Sequence, residues 1–177
     1  MAERSPTQVW TMRIAYVGLA LVIVFFHLIP LDTVPRQWAP PDLLLAFTLA
    51  WVVRRPDYVP LLVIGAVMLM ADLLFQRPPG LMALLVVLGS EYLKYRTYTP
   101  GESSFPAEWA AVCITIIAIT LLNRLVLGLM LVPRPPLGPS LVQMVLTALS
   151  YPLVVLVTQL TFGVRRPAPG DAGERAI

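Results

Sequence analysis

Charge is the scarcest thing in this sequence. Only 13% of its 177 residues are Asp, Glu, Lys or Arg, against about 25% in ordinary soluble domains. Hydrophobic residues make up 58%, and mean hydropathy is +0.77. A soluble core of this size cannot hide that much apolar surface, so the composition points to an integral membrane protein. Cysteine is nearly absent: Cys113 stands alone, which excludes an intramolecular disulfide. Histidine is equally scarce. With His27 alone, no His/Cys metal cluster can be assembled, and neither metal nor cofactor is expected. There is no GxSxG, HExxH, P-loop or Gly-rich dinucleotide motif, so no enzymatic activity is expected. The formal charge of +3 and pI near 9.4 do not indicate nucleic acid, because the basic residues lie between apolar runs rather than on one patch.

What is present is a series of apolar runs. The reading is an all-α polytopic membrane protein with six spans, at about 14–29, 42–55, 59–75, 80–93, 109–132 and 137–163, forming a single domain over 1–163. Residues 1–13 read as polar and 164–177 as a disordered cytoplasmic tail. The first run lacks the small-x-small site of a signal peptide and reads as an uncleaved span. The proline-rich segment 30–41 reads as an extended loop. Run two, whose apolar part covers 42–53, reaches only about 18 Å at 1.5 Å per residue, against a hydrocarbon core of about 30 Å. It therefore needs Arg54 and Arg55 to snorkel, a thinned bilayer, or shelter by neighbouring helices. Of the 18 prolines only Pro152 falls well inside a run. It should kink helix six, and a neighbour must cover the carbonyl it frees.

Charge sets the orientation. With six spans and the N-terminus inside, Arg4, Arg13, Arg54, Arg55, Lys94, Arg96, Arg165, Arg166 and Arg175 are cytoplasmic, Arg36, Arg77 and Arg134 are outside, and Arg124 lies within a span. The positive-inside rule favours this arrangement, with both termini in the cytoplasm. If run two did not span, every later loop would change sides and the bias would be lost.

Polar groups inside the runs are the candidate functional residues. Asp72 sits in run three, on one face with Gly65 and Met68. A carboxylate at a helix centre costs about 2.5–3.5 kcal/mol, and a glycine one or two turns before it lets a neighbouring helix approach. Matched depth suggests that Asp72 pairs with Arg124 or with Arg77. The turn at Pro78-Pro79-Gly80 closes a helix 3–4 hairpin, and Glu91 ends the return helix near the cytoplasmic interface, beside Lys94 and Arg96. Helix six carries Ser140, Gln143, Thr147, Ser150, Thr158 and Thr161 within roughly an 80° arc. Such a stripe faces protein, a cavity or a docked partner rather than lipid.

The residues Pro41-Asp42-Leu43-Leu44, Trp51, Arg54-Arg55-Pro56, Asp72-Leu73-Leu74 and Pro79-Gly80-Leu81 together resemble a pattern of the rod shape-determining MreD family, best over residues 40–95. The stretch Phe75-Gln76-Arg77-Pro78 departs from the small residue and Pro-Leu-Gly turn of many members. The resemblance implies a non-catalytic protein of the bacterial cytoplasmic membrane that associates with an MreC-like bitopic partner. That role helps couple the MreB filament to the peptidoglycan synthases of lateral wall growth. It also implies a fold similar to the substrate-binding subunits of energy-coupling-factor transporters, six helices around a cavity. Partner contacts are expected to be helix-in-groove docking in the lipid bilayer, with Asp72, Arg77, Pro79, Gly80, Glu91, Arg124, Arg54 and Arg55 as candidate binding or structural residues. A competing expectation is a small-molecule-binding subunit of a transporter. It is weakened by outer loops without an aromatic or polar cluster apart from Trp38, and by the lack of an obvious motif for docking an ATPase.

Overall fold

The structure is a computed structural model that describes residues 6–29, 39–97, 104–132 and 136–162. Residues 30–38 of the extended loop anticipated over 30–41, residues 98–103 and the tail 164–177 lie outside the described residues. Among the described residues there are six α-helices and no strand: α1 (Pro6–Leu28), α2 (Leu43–Arg54), α3 (Leu61–Leu74), α4 (Leu81–Thr97), α5 (Phe105–Leu129) and α6 (Leu137–Phe162), with a 3-10 turn at Pro56–Tyr58. Three helices are long and apolar enough to cross a membrane: Thr7–Leu28, Phe105–Leu129 and Leu137–Phe162. Leu43–Arg54 and Leu61–Leu74 are apolar but shorter. The protein is a helical membrane protein with at least these three spans.

The helices coincide with the six apolar runs, and the boundaries differ where capping chemistry overrides hydropathy. Helix α1 starts at Pro6, eight residues before the run, because a proline preset for helical φ sits comfortably in a first turn. Helix α5 starts four residues before its run, with Pro106 at its start and Glu108 in its first turn. Helix α4 extends through Lys94 to Thr97, where basic side chains in the last turn complement the helix dipole. It also gains an ion pair, Lys94 Nζ to Glu91 Oε1 at 3.2 Å.

Short α2 is the centre of the molecule. Every residue from Leu44 to Arg54 is buried, and the helix packs against α6, α4 and α1. Of the three ways to accommodate a 12-residue run, shelter by neighbouring helices is what the fold uses. A helix hydrophobic on all sides has no solvent face to present and takes such a position. Tyr16 of α1 stacks on Phe47 with centroids 5.4 Å apart, and its hydroxyl lies 3.0 Å from Thr48 Oγ1. Trp51 then packs at a tilt against Phe47, Tyr58 and Phe162. Pro56 ends α2: the residue before a proline is driven from the helical region, and Arg55 sits at φ −148°, ψ 74°.

Helices α3 and α4 form the most extensive helix pair, and α4 in turn packs on α5. Of the two glycines on α3 and α4, Gly89 rather than Gly65 is the one pressed hard against a neighbouring helix. A Cβ on Gly65 would make an ordinary 3.7 Å contact with Val87, whereas one on Gly89 would lie 2.8 Å from Thr115 Cγ2 and 3.1 Å from Ile119 Cδ1. Thr115 cannot turn aside freely, because its hydroxyl donates to the Ala111 carbonyl at 2.9 Å. Gly89→Ala should therefore destabilise the protein by about 1–3 kcal/mol, the usual range for overpacking. Gly65→Ala should change it little. Unfolding of both variants in detergent checks the contrast.

Helix α6 runs continuously through Pro152. Proline cannot donate to the carbonyl four residues back, which is that of Ala148. Trp109 of α5 fills the gap, with its indole Nε1–H donating to the Ala148 oxygen at 2.9 Å. The expected neighbour is thus identified. Trp109→Phe should cost about 1 kcal/mol, the net worth of one hydrogen bond. The cost should be smaller in a Pro152→Ala background, where the helix supplies its own donor. A double-mutant cycle on unfolding free energies measures the difference.

Candidate functional site: the polar end of the bundle

Helix ends alternate through the bundle. One end carries Arg13, Arg54, Arg55, Lys94 and Glu108. The other gathers the start of α2, the α3–α4 turn, the end of α5 and the start of α6.

The site at the second end begins with how α3 stops. Gln76 takes φ +53°, Arg77 N–H donates to the Asp72 carbonyl at 2.9 Å, and Gln76 N–H donates to that of Leu73 at 3.3 Å. These are the paired bonds of a Schellman motif, with glutamine in the place glycine usually takes. A β-turn follows, in which Leu81 N–H donates to Pro78 C=O at 3.3 Å. Pro79 occupies its second position and Gly80, at φ +85°, its third, the residue choice of a type II turn. The departure from the Pro-Leu-Gly pattern thus still yields a tight reversal.

This reversal brings the start of α4 back onto Asp72. The carboxylate, 1% exposed, accepts the Gly80 N–H at 3.1 Å and the Ala83 N–H at 3.2 Å through Oδ2. A buried acid at a helix N-terminus satisfies orphan amides and meets the positive end of the dipole. The anticipated contact pairs therefore give way to a cap. Arg77 acts on Asp72 through space, but its Nη1 lies 3.7 Å from Asp42 Oδ2. Arg124 Nη1 donates to Ser140 Oγ at 2.7 Å. Matched depth did bring Asp72, Arg77 and Arg124 to one end. It could not foresee that backbone amides would reach the carboxylate first.

Asp42 is a second joint of the same kind. Its Oδ1 accepts the Leu45 N–H at 3.0 Å and caps α2, while its own N–H donates to Thr147 Oγ1 of α6 at 2.8 Å. Between these joints lies a cavity of about 360 Å³. Its polar lining includes Asp42, Arg77, Asn123, Arg124, Gln143 and Thr147, and its apolar floor includes Leu45, Ile116 and Met144. The first half of the α6 stripe, Ser140, Gln143 and Thr147, lines this cavity. Further along, Thr158 is buried and Thr161 is exposed. Both hydroxyls donate to carbonyls of their own helix, which lets the stripe leave the cavity without orphaned hydroxyls.

At the opposite end, Arg54 does not snorkel. Its side chain is 10% exposed, and its Nε donates to Glu108 Oε1 at 3.1 Å. Nη1 donates to Gln159 Oε1 at 3.3 Å, and Tyr151 Oη donates to the same Glu108 oxygen at 2.7 Å. This buried network ties α2, α5 and α6 together. Glu108 reads from the sequence as the end of a polar stretch. Arg55 instead lies over the Tyr58 ring at 6.0 Å. Glu91 is half exposed beside Lys94.

No family model, curated protein or solved structure matches the chain. Among the described residues, no group of three His, Cys, Asp or Glu side chains is arranged to hold a metal.

Proposed function

We propose that the protein is a non-catalytic scaffold of the bacterial cell-elongation complex, of the MreD kind. In this reading it crosses the cytoplasmic membrane six times with both termini inside. It docks an MreC-like bitopic protein and so helps couple an MreB-like filament to peptidoglycan synthesis. The observation that carries this reading is where the motif residues fall. Asp42 caps α2 and reaches α6, Arg54 binds Glu108 of α5, and Asp72 with Gly80 locks α3 to α4. Each spends its polar groups on joining helices, which suits a rigid body that presents apolar faces. Outward-facing Leu62, Leu121, Leu125 and Leu129 offer such faces to lipid and to a partner helix. Affinity there comes from close packing over many contacts, because lipid supplies no hydrophobic drive between helices. The 12-residue α2 and 14-residue α3 cover about 18–21 Å at 1.5 Å per residue, and in this reading neighbouring helices shelter their ends.

The polar cavity favours a second reading, a small-molecule-binding subunit of a transporter. Depletion separates the two. Rounded cells with normal solute uptake are the expected result. Normal shape with lost uptake of one solute would overturn the scaffold in favour of the transporter.

A further inference from the structure

Three helix N-termini meet at the cavity end of the bundle, and they are treated differently. The start of α2 is capped by Asp42 and the start of α4 by Asp72. The start of α6 has no acidic residue in its first turn, and Ser140 from that turn lines the cavity. A helix N-terminus carries about half a positive charge. Asp72 is committed to amides at the start of α4, and one oxygen of Asp42 to the Leu45 amide of the helix it caps. Arg77 from the α3–α4 turn and Arg124 from α5 enter the cavity lining from two different elements, with the amides of Asn123 and Gln143 beside them.

We propose that this cavity binds a phosphate-bearing head group, gripped by Arg77 and Arg124 and oriented by Asn123 and Gln143. The proposal rests on the cavity as a binding site and does not depend on the scaffold role. Guanidinium groups suit the class because their planar donor forks match phosphate oxygens, and two of them can approach a tetrahedral anion from different directions. Size fits as well: about 360 Å³ lies within the roughly 300–1,000 Å³ of small-molecule sites and leaves room for a substituent beside the phosphate. Position fits too, since the cavity is built from helix ends. Its apolar floor continues into the bundle at Ile116 and Met144. The carboxylate of Asp42 does not exclude the anion, because one oxygen accepts the Leu45 N–H and the other faces Arg77. The same chemistry could arrive on a lipid or on a soluble phosphomonoester.

The test titrates the purified full chain, in an uncharged detergent, with three probes: dihexanoyl phosphatidate, the matching diacylglycerol, and glycerol phosphate. Calorimetry reads binding, and a thermal scan confirms that each variant is folded. Saturable binding of phosphatidate is expected, weakened at least tenfold in Arg77→Gln and in Arg124→Gln. Arg96→Gln, at the opposite end, should bind as the parent does. Gln143→Glu gives a similar loss without removing either arginine and stands in if an arginine variant fails to fold. Glycerol phosphate binding alongside phosphatidate supports the proposal with the head group as sufficient. Phosphatidate binding alone supports it with a lipid as the source. Diacylglycerol binding as tightly as phosphatidate, or folded arginine variants binding within twofold of the parent, overturns the phosphate class and leaves the cavity as a site of other chemistry. Binding of none of the three overturns the proposal together with the binding-site reading.

Discussion

Glu108→Ala should destabilise the protein by about 3–5 kcal/mol, the usual cost of leaving one partner of a buried ion pair unopposed. Arg54 is the reason. It lies 8% exposed at the end of a helix that is buried along its length, and the carboxylate it faces is 2% exposed. Removing that carboxylate strands a guanidinium in low dielectric and also takes the acceptor from Tyr151. Gln159 retains its contact with Arg54 but offers no charge. Glu108→Gln keeps an oxygen for Arg54 and Tyr151 and should lose less. The informative variant is double: Arg54→Met with Glu108→Leu removes both charges and should recover most of the loss, because the desolvation cost disappears with the pair. Denaturant unfolding in detergent gives all four free energies. Equal losses for Glu108→Ala and the double variant would show that Arg54 reaches water.

Asp72→Ala should cost about 2–3 kcal/mol. A lost N-cap is worth about 0.5–2 kcal/mol, and the Ala83 amide, buried with its donor hydrogen unmatched, adds part of the roughly 1–3 kcal/mol of an unsatisfied group. The two contributions overlap, so the total stays below their sum. Asp72→Asn retains a carbonyl oxygen that can accept one amide and should fall between. The charge swap Asp72→Arg with Arg124→Asp should give no rescue over either single change, because Arg124 binds Ser140 rather than Asp72. Rescue would restore the ion pair that matched depth suggested. The unfolding free energies and the membrane abundance of the variants decide between them.

The sequence made the six helices legible because apolar runs punctuated by proline leave few other parses. It made the covering of a carbonyl near Pro152 legible for a similar reason, since a missing N–H inside a span must be answered. What stayed hidden is the identity of partners across the bundle. Glu108, Trp109, Tyr151 and Gln159 carry no local signal, because their roles depend on which helices touch. Whether Arg54 snorkels or is sheltered turns on the central burial of α2, which no local pattern shows. Asp72 is legible as a buried carboxylate from its place in an apolar run. Its partner was missed because a search among charged side chains overlooks backbone amides, which the turn at Gly80 delivers to within hydrogen-bonding distance. Gly65 and Gly89 both sit on apolar faces, and only packing distinguishes them.

The scaffold claim is tested most directly by co-purification. The tagged full chain, solubilised from its own membranes in mild detergent, should bring down an MreC-like bitopic protein in near-stoichiometric amount. Asp72→Ala should lower either membrane abundance or that yield. A folded, abundant chain that brings down no such protein would contradict the account, as would an Asp72→Ala variant with both quantities unchanged.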